Sequence, residues 1–319
     1  MDKDKYLKDI LVEYEDIVLK NLEKPENKAG RPEIFADLEA ACVHYLGSVL
    51  SFLNPAHFKE GFYDAVQIKD WQSVNDFLYQ ETLFWLIPGS LGSYDQCFYF
   101  ITALEAYACG AEHVLEHIYP YELGLAQNGY PLYVIGSNLL IAKYYNDEEM
   151  LTIALETANK FVKSKASRWE RWVIQFLLDI INGDCTAANN SLLEVCKGYS
   201  RVQKPLQSIG DICIPAHGLY GIAAQWLTEE EFINIKAPNH KAFLQEYAQW
   251  RLINEKPKLN PYMVYPEKMD IINKIYRMPV AKTTLTQVRF TEQSKLRPVI
   301  DENKMFQVFV EELREFKGV

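Results

Sequence analysis

Residues 131–199 decide the fold and read PLYVIGSNLLIAKYYNDEEMLTIALETANKFVKSKASRWERWVIQFLLDIINGDCTAANNSLLEVCKGY. Apolar side chains recur in this stretch every three or four residues, which is the period of one helix face. Polar turns interrupt the pattern at Asn146-Asp147 and at Asn182-Gly183-Asp184. Gly183 suits the residue after a helix and Asp184 suits the N-cap of the next one. Because loops this short make neighbouring helices antiparallel, the stretch predicts consecutive helical hairpins.

The same period continues on both sides of this stretch. Asp70 is the expected N-cap of one further helix, and Gly110 is expected to end the next. No strict repeat of about 34 residues, as in tetratricopeptide arrays, accompanies the pattern. The sequence therefore predicts an all-α fold of irregular antiparallel helical hairpins, like a tetratricopeptide or α-solenoid bundle. Helices are predicted over residues 6–18, 38–53, 71–87, 94–109, 112–118, 131–145, 148–162, 168–181, 186–199, 211–226 and 238–252.

The character of the sequence changes after residue 254. Four prolines punctuate the next stretch, and only 282–291 alternates in the manner of a strand. A last amphipathic helix is predicted over 303–317, with Phe306, Phe309, Val310 and Leu313 on one stripe. We therefore predict a helical-hairpin domain over 1–254. Residues 255–319 are expected to form a short mixed C-terminal extension that packs back on it.

The formal net charge of the chain is −10, and the acidic excess lies within residues 1–254. No basic footprint for nucleic acid is present, whereas an acidic body would speed the association of a basic partner. The N-terminal residues MDKDKYLKDILVEYED lack the apolar run of a secretory signal, and no apolar stretch has the length of a membrane span. No cysteine pair has CxxC spacing. These features predict a cytoplasmic protein without a membrane segment.

One motif could carry chemistry. His113, Glu116 and His117 fit the pattern H-x-x-E-H, in which two histidines one helical turn apart bind zinc and the glutamate activates a water. The alternative is an exposed polar face on a short helix. Nucleophile-elbow, P-loop and dinucleotide-binding motifs are absent from the sequence. We therefore predict a protein that is not an enzyme and has no cofactor or metal, with a zinc hydrolase as the third alternative.

A family resemblance enters at residues 211–248, which read DICIPAHGLYGIAAQWLTEEEFINIKAPNHKAFLQEYA. A proline-containing segment at 214–216 leads into an apolar helix, and the acidic turn 229–231 and a short extended segment at 233–238 follow. This run resembles the C-terminal signature of the Immunity 49 family, which are all-helical bacterial proteins encoded beside polymorphic or contact-delivered toxins. The resemblance covers roughly residues 35–250. It implies neutralisation of a cognate toxin, often a nuclease, by direct binding, and it carries no catalytic residues.

Two hypotheses for a binding function follow. The first is an immunity protein that occludes a cognate toxin, for which a basic protein such as a nuclease is expected. The second is a helical scaffold or regulatory adaptor that binds a peptide or protein. The sequence leaves open whether Trp169 and Trp172 are core or interface residues. The residues expected to contact a basic partner are two acidic clusters, Asp147, Glu148 and Glu149, and Glu229, Glu230 and Glu231.

Overall fold

The fold is all-α, with one small two-stranded sheet. The computed structural model describes residues 3–23, 37–48, 59–88, 95–199, 211–254, 257–289 and 295–317. The α-helices are α1 Lys3–Tyr14, α2 Lys20–Glu23, α3 Leu38–Ser48, α4 Lys59–Gln67, α5 Trp71–Leu86, α6 Phe100–Cys109, α7 Leu115–Ile118, α8 Pro131–Tyr144, α9 Glu148–Phe161, α10 Arg168–Ile181, α11 Cys185–Tyr199, α12 Ile214–Trp226, α13 Glu229–Phe232, α14 Gln245–Ile253, α15 Asp270–Arg277 and α16 Glu302–Glu315. A π-helical turn, Glu15–Leu19, joins α1 to α2, and the paired strands are β1 Leu285–Val288 and β2 Arg297–Ile300. Short 3-10 turns span Gln96–Tyr99, Glu112–Val114, Tyr121–Leu123 and Glu267–Met269.

The contacts divide the chain into two compact units. Unit 1 comprises Met1–Tyr94, Leu259–Thr286 and Ile300–Val319, and unit 2 comprises Asp95–Lys258 and Gln287–Val299. These contacts group 259–286 and 300–319 with the N-terminal helices. The predicted division into 1–254 and 255–319 stays a prediction. No helix in the described part of the chain combines the length and the apolar character that crossing a bilayer requires.

Unit 1 is built around α5. As predicted, Asp70 caps this helix, because its carboxylate accepts a hydrogen bond from the backbone N–H of Ser73 at 3.2 Å. The buried side chain of Gln80 accepts from the backbone N–H of Met263 at 2.8 Å, which ties the segment before α15 to the helix. Helices α15 and α16 both pack on α3. An ion pair of 2.7 Å between Arg314 and Asp37 adds to the contact of α16 with α3.

Unit 2 contains the predicted helical hairpins. Helix α8 packs on α9, and α10 packs on α11. The predicted turn between α10 and α11 is present: Gly183 has a positive φ of 72°, and Asp184 accepts a hydrogen bond from Ala187 N–H at 2.9 Å. At the start of α10, Ser167 and Glu170 form a capping box. A capping box at its N-terminus and a polar turn at its C-terminus therefore fix the length of α10.

Helices α6 and α12 run parallel in unit 2 with their backbones in close contact. A Cβ atom at Gly218 would overlap the carbonyl oxygen of Leu104, and one at Gly221 would lie 2.5 Å from that of Tyr107. Residue numbers increase together from the first contact to the second, so the two helices run in the same direction. Their C-terminal ends, at Cys109 and Trp226, therefore lie at the same end of unit 2.

Some predicted boundaries are wrong. The helix predicted over 238–252 begins only at Gln245, because 238–244 forms a turn in which Ala242 N–H donates to His240 Nδ1 at 3.1 Å. The helix predicted from residue 211 begins at Ile214, with Pro215 in its first turn. Helix α15 and strand β2 were not predicted. Part of the helix predicted over 38–53 lies outside the described residues.

Candidate functional site

The first predicted acidic cluster lies in the turn between α8 and α9. Asp147 is the N-cap of α9 and accepts a hydrogen bond from Met150 N–H at 2.9 Å. Its other carboxylate oxygen accepts from the hydroxyl of Tyr121 at 3.0 Å. Glu148 and Glu149 follow in the first turn of α9, and both side chains are exposed. Because α8 to α11 are joined by short turns and alternate in direction, this cluster lies at the same end of unit 2 as the turn 182–184.

The second predicted acidic cluster lies at that end as well. Glu229, Glu230 and Glu231 form the first turn of α13. The thiol of Cys185, the residue after the turn 182–184, donates to the carbonyl oxygen of Glu231 at 3.5 Å. The six predicted carboxylates of the two clusters therefore lie at one end of unit 2, which we call the acidic end of unit 2.

A cation bridges the helices that lead to the two clusters. Lys143, in the last turn of α8, places its Nζ atom 5.7 Å from the ring centre of Trp226, the last residue of α12. The first cluster follows α8 and the second follows α12. This contact therefore holds the C-terminal ends of α8 and α12 next to each other. A cation–π contact of this kind contributes about 0.5–1 kcal/mol at an exposed site.

The six carboxylates have different local roles. Asp147 caps α9, and Glu231 forms a capping box with Thr228. Hydrogen bonds from backbone N–H groups, of Met150 to Asp147 and of Thr228 to Glu231, lower the pKa of both carboxyl groups. Within the described ranges, the side chains of the other four, Glu148, Glu149, Glu229 and Glu230, make no hydrogen bond and no ion pair with lysine or arginine. These four charges are therefore available to a partner.

A cavity of about 400 Å³ lies beside the second cluster. It is formed by the C-terminal end of α6 together with α12, α13 and α14. We call it the aromatic cavity, because its walls contain the rings of Tyr107, His217, Tyr220, Phe232 and Tyr247. Its polar lining residues are Glu112, Gln225, Glu229 and Arg251.

His217 lines this cavity in its neutral form. Its ring stacks on Phe243 with centroids 4.1 Å apart, and its Nε2 atom accepts a hydrogen bond from Leu244 N–H at 3.1 Å. Since Nε2 is an acceptor, the single ring proton of the neutral form lies on Nδ1. Burial lowers the pKa of His217 to about 3, because a charged imidazolium would lose its hydration there. The histidine therefore adds no positive charge to the cavity near neutral pH.

Arg251 holds the C-terminal end of α6. Its Nε atom donates to the carbonyl oxygen of Ala108 at 3.2 Å, and one terminal nitrogen donates to the carbonyl of Asn254 at 3.0 Å. The hydroxyl of Tyr247 donates to the same Ala108 oxygen at 3.0 Å. Carbonyl groups at a helix C-terminus carry partial negative charge, so they stabilise the guanidinium. Arg251 and Tyr247 thus anchor α14 to α6.

The possible zinc ligands do not form a metal site. His113 belongs to a 3-10 turn and is exposed, whereas Glu116 and His117 belong to the following short helix. His117 Nε2 lies 3.3 Å from Glu116 Oε1, so these two side chains contact each other. In the part of the chain that the structure describes, no group of three or more histidine, cysteine, aspartate or glutamate side chains is arranged to bind a metal ion.

The two tryptophans of α10 differ in burial. Trp169 is 5% exposed, and its ring centre lies 6.2 Å from that of Tyr199, so it is a core residue. Trp172 is half-buried.

The aromatic cavity was not predicted, since Tyr107, Tyr220 and Tyr247 occupy helix positions that are typical of core packing. A pair of glycines three residues apart, Gly218 and Gly221, was the available signal for the close helix contact beside it.

No protein-family model, no curated protein and no solved structure matched this chain in the comparisons. The resemblance to the Immunity 49 family therefore stays a prediction. What supports a function is the arrangement of the acidic end and the aromatic cavity. Both include residues of the 211–248 run that carries the resemblance.

Proposed function

We propose that this chain is an immunity protein that binds a cognate bacterial toxin through the acidic end of unit 2. The observation that carries the proposal is the presence there of Glu148, Glu149, Glu229 and Glu230, whose side chains are exposed and make no hydrogen bond or ion pair within the described residues. Carboxylates of one sign, gathered from separate helices, attract a basic surface. A nuclease toxin presents such a surface to its nucleic acid, so a protein bound over it would block substrate access.

The proposed mechanism is direct occlusion without chemistry. Exposed charges contribute mainly to the rate of association and to the orientation of the partner, whereas buried aromatic contacts contribute most to affinity. The acidic end would provide the first effect and the aromatic cavity beside it the second. Neither role requires a metal, a cofactor or a nucleophile.

The direct test is co-expression with the product of the adjacent reading frame. We expect that product to stop growth when it is expressed alone, and to be harmless when this chain is present. The two proteins are expected to co-elute in gel filtration as a stable complex. Toxicity that co-expression does not relieve, or a harmless neighbour that forms no complex, would contradict the proposal.

A second prediction concerns the double variant Glu229→Gln/Glu230→Gln. Removal of these two charges is expected to slow association with the toxin by roughly threefold to tenfold at low ionic strength, because the long-range attraction falls. At about 1 M salt the difference should nearly vanish, since charges are then screened within about 3 Å. Stopped-flow mixing at both salt concentrations measures the effect. Asp147 and Glu231 stay unchanged, so the helix caps are preserved.

The matched control for this experiment is Glu311→Gln/Glu312→Gln. Both glutamates are exposed on α16 in unit 1, and the control changes the net charge by the same amount. If total charge alone governed association, the two double variants would slow it equally. Equal slowing would remove the acidic end as the contact surface, and so would an unchanged rate in Glu229→Gln/Glu230→Gln.

An adaptor that binds a peptide is the second candidate function. The aromatic cavity favours it, because a concave apolar site with a few polar groups is typical of binding pockets. In that case the neighbouring gene would not encode a toxin. The ligand of the cavity would be an extended peptide that has no effect on cell growth. The co-expression experiment separates the two candidates.

A further inference from the structure

We infer that the aromatic cavity receives a lysine or arginine side chain of the bound toxin. The inference rests on the proposed function and names the chemistry by which that site recognises its partner. Three features of the cavity favour an organic cation: its aromatic walls, its carboxylates and the C-terminal end of α12. Its volume of about 400 Å³ is in the range of pockets that enclose a small ligand.

The walls of the cavity are rich in aromatic rings. The ring of Tyr220 lies 5.3 Å from that of Phe232, and both residues line the cavity. Tyr107 and Tyr247 complete the wall on the side of α6 and α14. The negative face of an aromatic ring attracts a cation by about 0.5–2 kcal/mol, with the larger values where water is excluded. Several rings around one cavity therefore select an ammonium or guanidinium group over a neutral group of the same shape.

The charges around the cavity also favour a cation. Glu112 and Glu229 line it, and within the described residues neither is paired with lysine or arginine. The C-terminal end of α12 lies beside Glu229 in the sequence, so its partial negative charge reinforces that carboxylate, whereas the end of α6 is already bonded to Arg251 and Tyr247. The positive residue Arg251 is already bonded to the carbonyl oxygens of Ala108 and Asn254. Arg251 keeps its charge in these bonds, so the lining, with Glu112 and Glu229 against Arg251, has a formal net charge of −1.

The position of the cavity identifies the source of the cation. Glu229 belongs both to the cavity lining and to the acidic end, so the two surfaces are continuous. A basic protein held at the acidic end would place its long basic side chains at the cavity. A flexible side chain of this kind can bury its aliphatic part against the rings and bring its charge to the carboxylates.

The test uses N-acetyl-arginine amide as a model of the partner's side chain and N-acetyl-citrulline amide as its neutral counterpart. Both are titrated into the full-length protein, with binding followed by NMR shifts of the amides of Gly221, Ala224 and Ala248 at the cavity. We expect the arginine compound to bind at millimolar concentrations and the citrulline compound at least about tenfold more weakly. Equal binding of the two compounds, or shifts located elsewhere, would overturn the inference.

Variants at Phe232 test the role of the ring. Phe232→Leu keeps an apolar side chain but removes the π face, and it should weaken binding of N-acetyl-arginine amide by about threefold to tenfold. Phe232→Tyr keeps the face and should change the affinity by less than about twofold. If both variants bind as the parent does, the ring plays no part and the inference fails. Unchanged shifts for the remaining residues of unit 2 show that each variant is folded.

A third ligand distinguishes a partner's side chain from a free metabolite. Spermidine, a free polyamine, should bind no better than N-acetyl-arginine amide if the site is shaped for one side chain. Binding of spermidine that is tighter by a factor of about 100 or more would assign the cavity to a free amine and overturn the inference. These titrations need no toxin, so their outcome is independent of the co-expression experiment. A harmless neighbouring gene product would refute the proposed function even where the arginine compound binds.

Discussion

Replacing Gly218 with alanine is expected to destabilise unit 2 by about 3 kcal/mol. The added methyl group would overlap the carbonyl oxygen of Leu104 in α6. A backbone atom inside a helix cannot rotate away, so α6 and α12 would have to separate and lose packing along their length. Hydrogen exchange of the amides of α6 and α12 measures the effect directly, and unfolding in urea gives the change in free energy.

The matched control is Gly198→Ala in α11. The nearest atom to the new methyl group would be a side-chain carbon of Trp169 at 3.2 Å, and a side chain can shift by the few tenths of an ångström required. Alanine also has the higher helix propensity by about 1 kcal/mol, which offsets the crowding. We expect the stability of this control to lie within about 1 kcal/mol of the parent. Equal losses in the two variants would show that the α6–α12 contact is not the limiting one.

Acidification below about pH 6.5 is expected to destabilise unit 2 through His217. In the unfolded chain the imidazole takes up a proton near pH 6.5, whereas in the folded protein its pKa is about 3. Between these values the unfolded state binds a proton that the folded state does not. The free energy of unfolding therefore falls as pH falls, by at most about 1.4 kcal/mol per pH unit from this group.

The comparison with His217→Gln isolates this effect. A glutamine side chain has an oxygen that can accept the hydrogen bond from Leu244 N–H, but it does not titrate. The variant is expected to be less stable than the parent at pH 7, because the stacking on Phe243 is lost, and to show a smaller further loss between pH 6.5 and 4. Identical slopes in urea unfolding over that window would contradict the prediction.

The titration of Asp179 changes the free energy of unfolding with pH in the direction opposite to that of His217. The comparison with His217→Gln is therefore necessary. Burial raises the pKa of its carboxyl group, although Ser191 and Gln175 donate hydrogen bonds to it. The folded protein therefore takes up this proton at a higher pH than the unfolded chain does, which offsets part of the loss at low pH. The pH profile of the parent protein alone would mix the two effects.

Local signals in the sequence were sufficient for the hairpins of unit 2. The turn at Asn182-Gly183-Asp184 combines a residue that tolerates positive φ with an N-cap, so both helix ends could be placed. The start of α14 could not be placed, because the turn before it depends on hydrogen bonds such as that from Cys213 N–H to the carbonyl of Ala242. That bond joins residues distant in sequence.

In the candidate site too, features set by neighbouring residues were predicted, whereas features set by contacts between distant residues were not. The six carboxylates were identified from the sequence as two clusters, but their common location depends on the parallel contact of α6 and α12 and on the contact of Lys143 with Trp226. Aromatic residues at helical spacing predict packing, and nothing in their spacing indicates that some line a cavity. The cavity lies where α13 and α14 meet α12 and the C-terminal end of α6.

The different structural roles of the six carboxylates have a consequence for which of them can change in evolution. Asp147 and Glu231 are constrained by the helices they cap, whereas the side chains of Glu148, Glu149, Glu229 and Glu230 form no hydrogen bond or ion pair with the part of the chain that the structure describes. Substitution at those four positions would leave the scaffold nearly as stable as before. Under the proposed function, substitutions at these four positions would change which toxin the protein binds, while the helices beneath them remain the same.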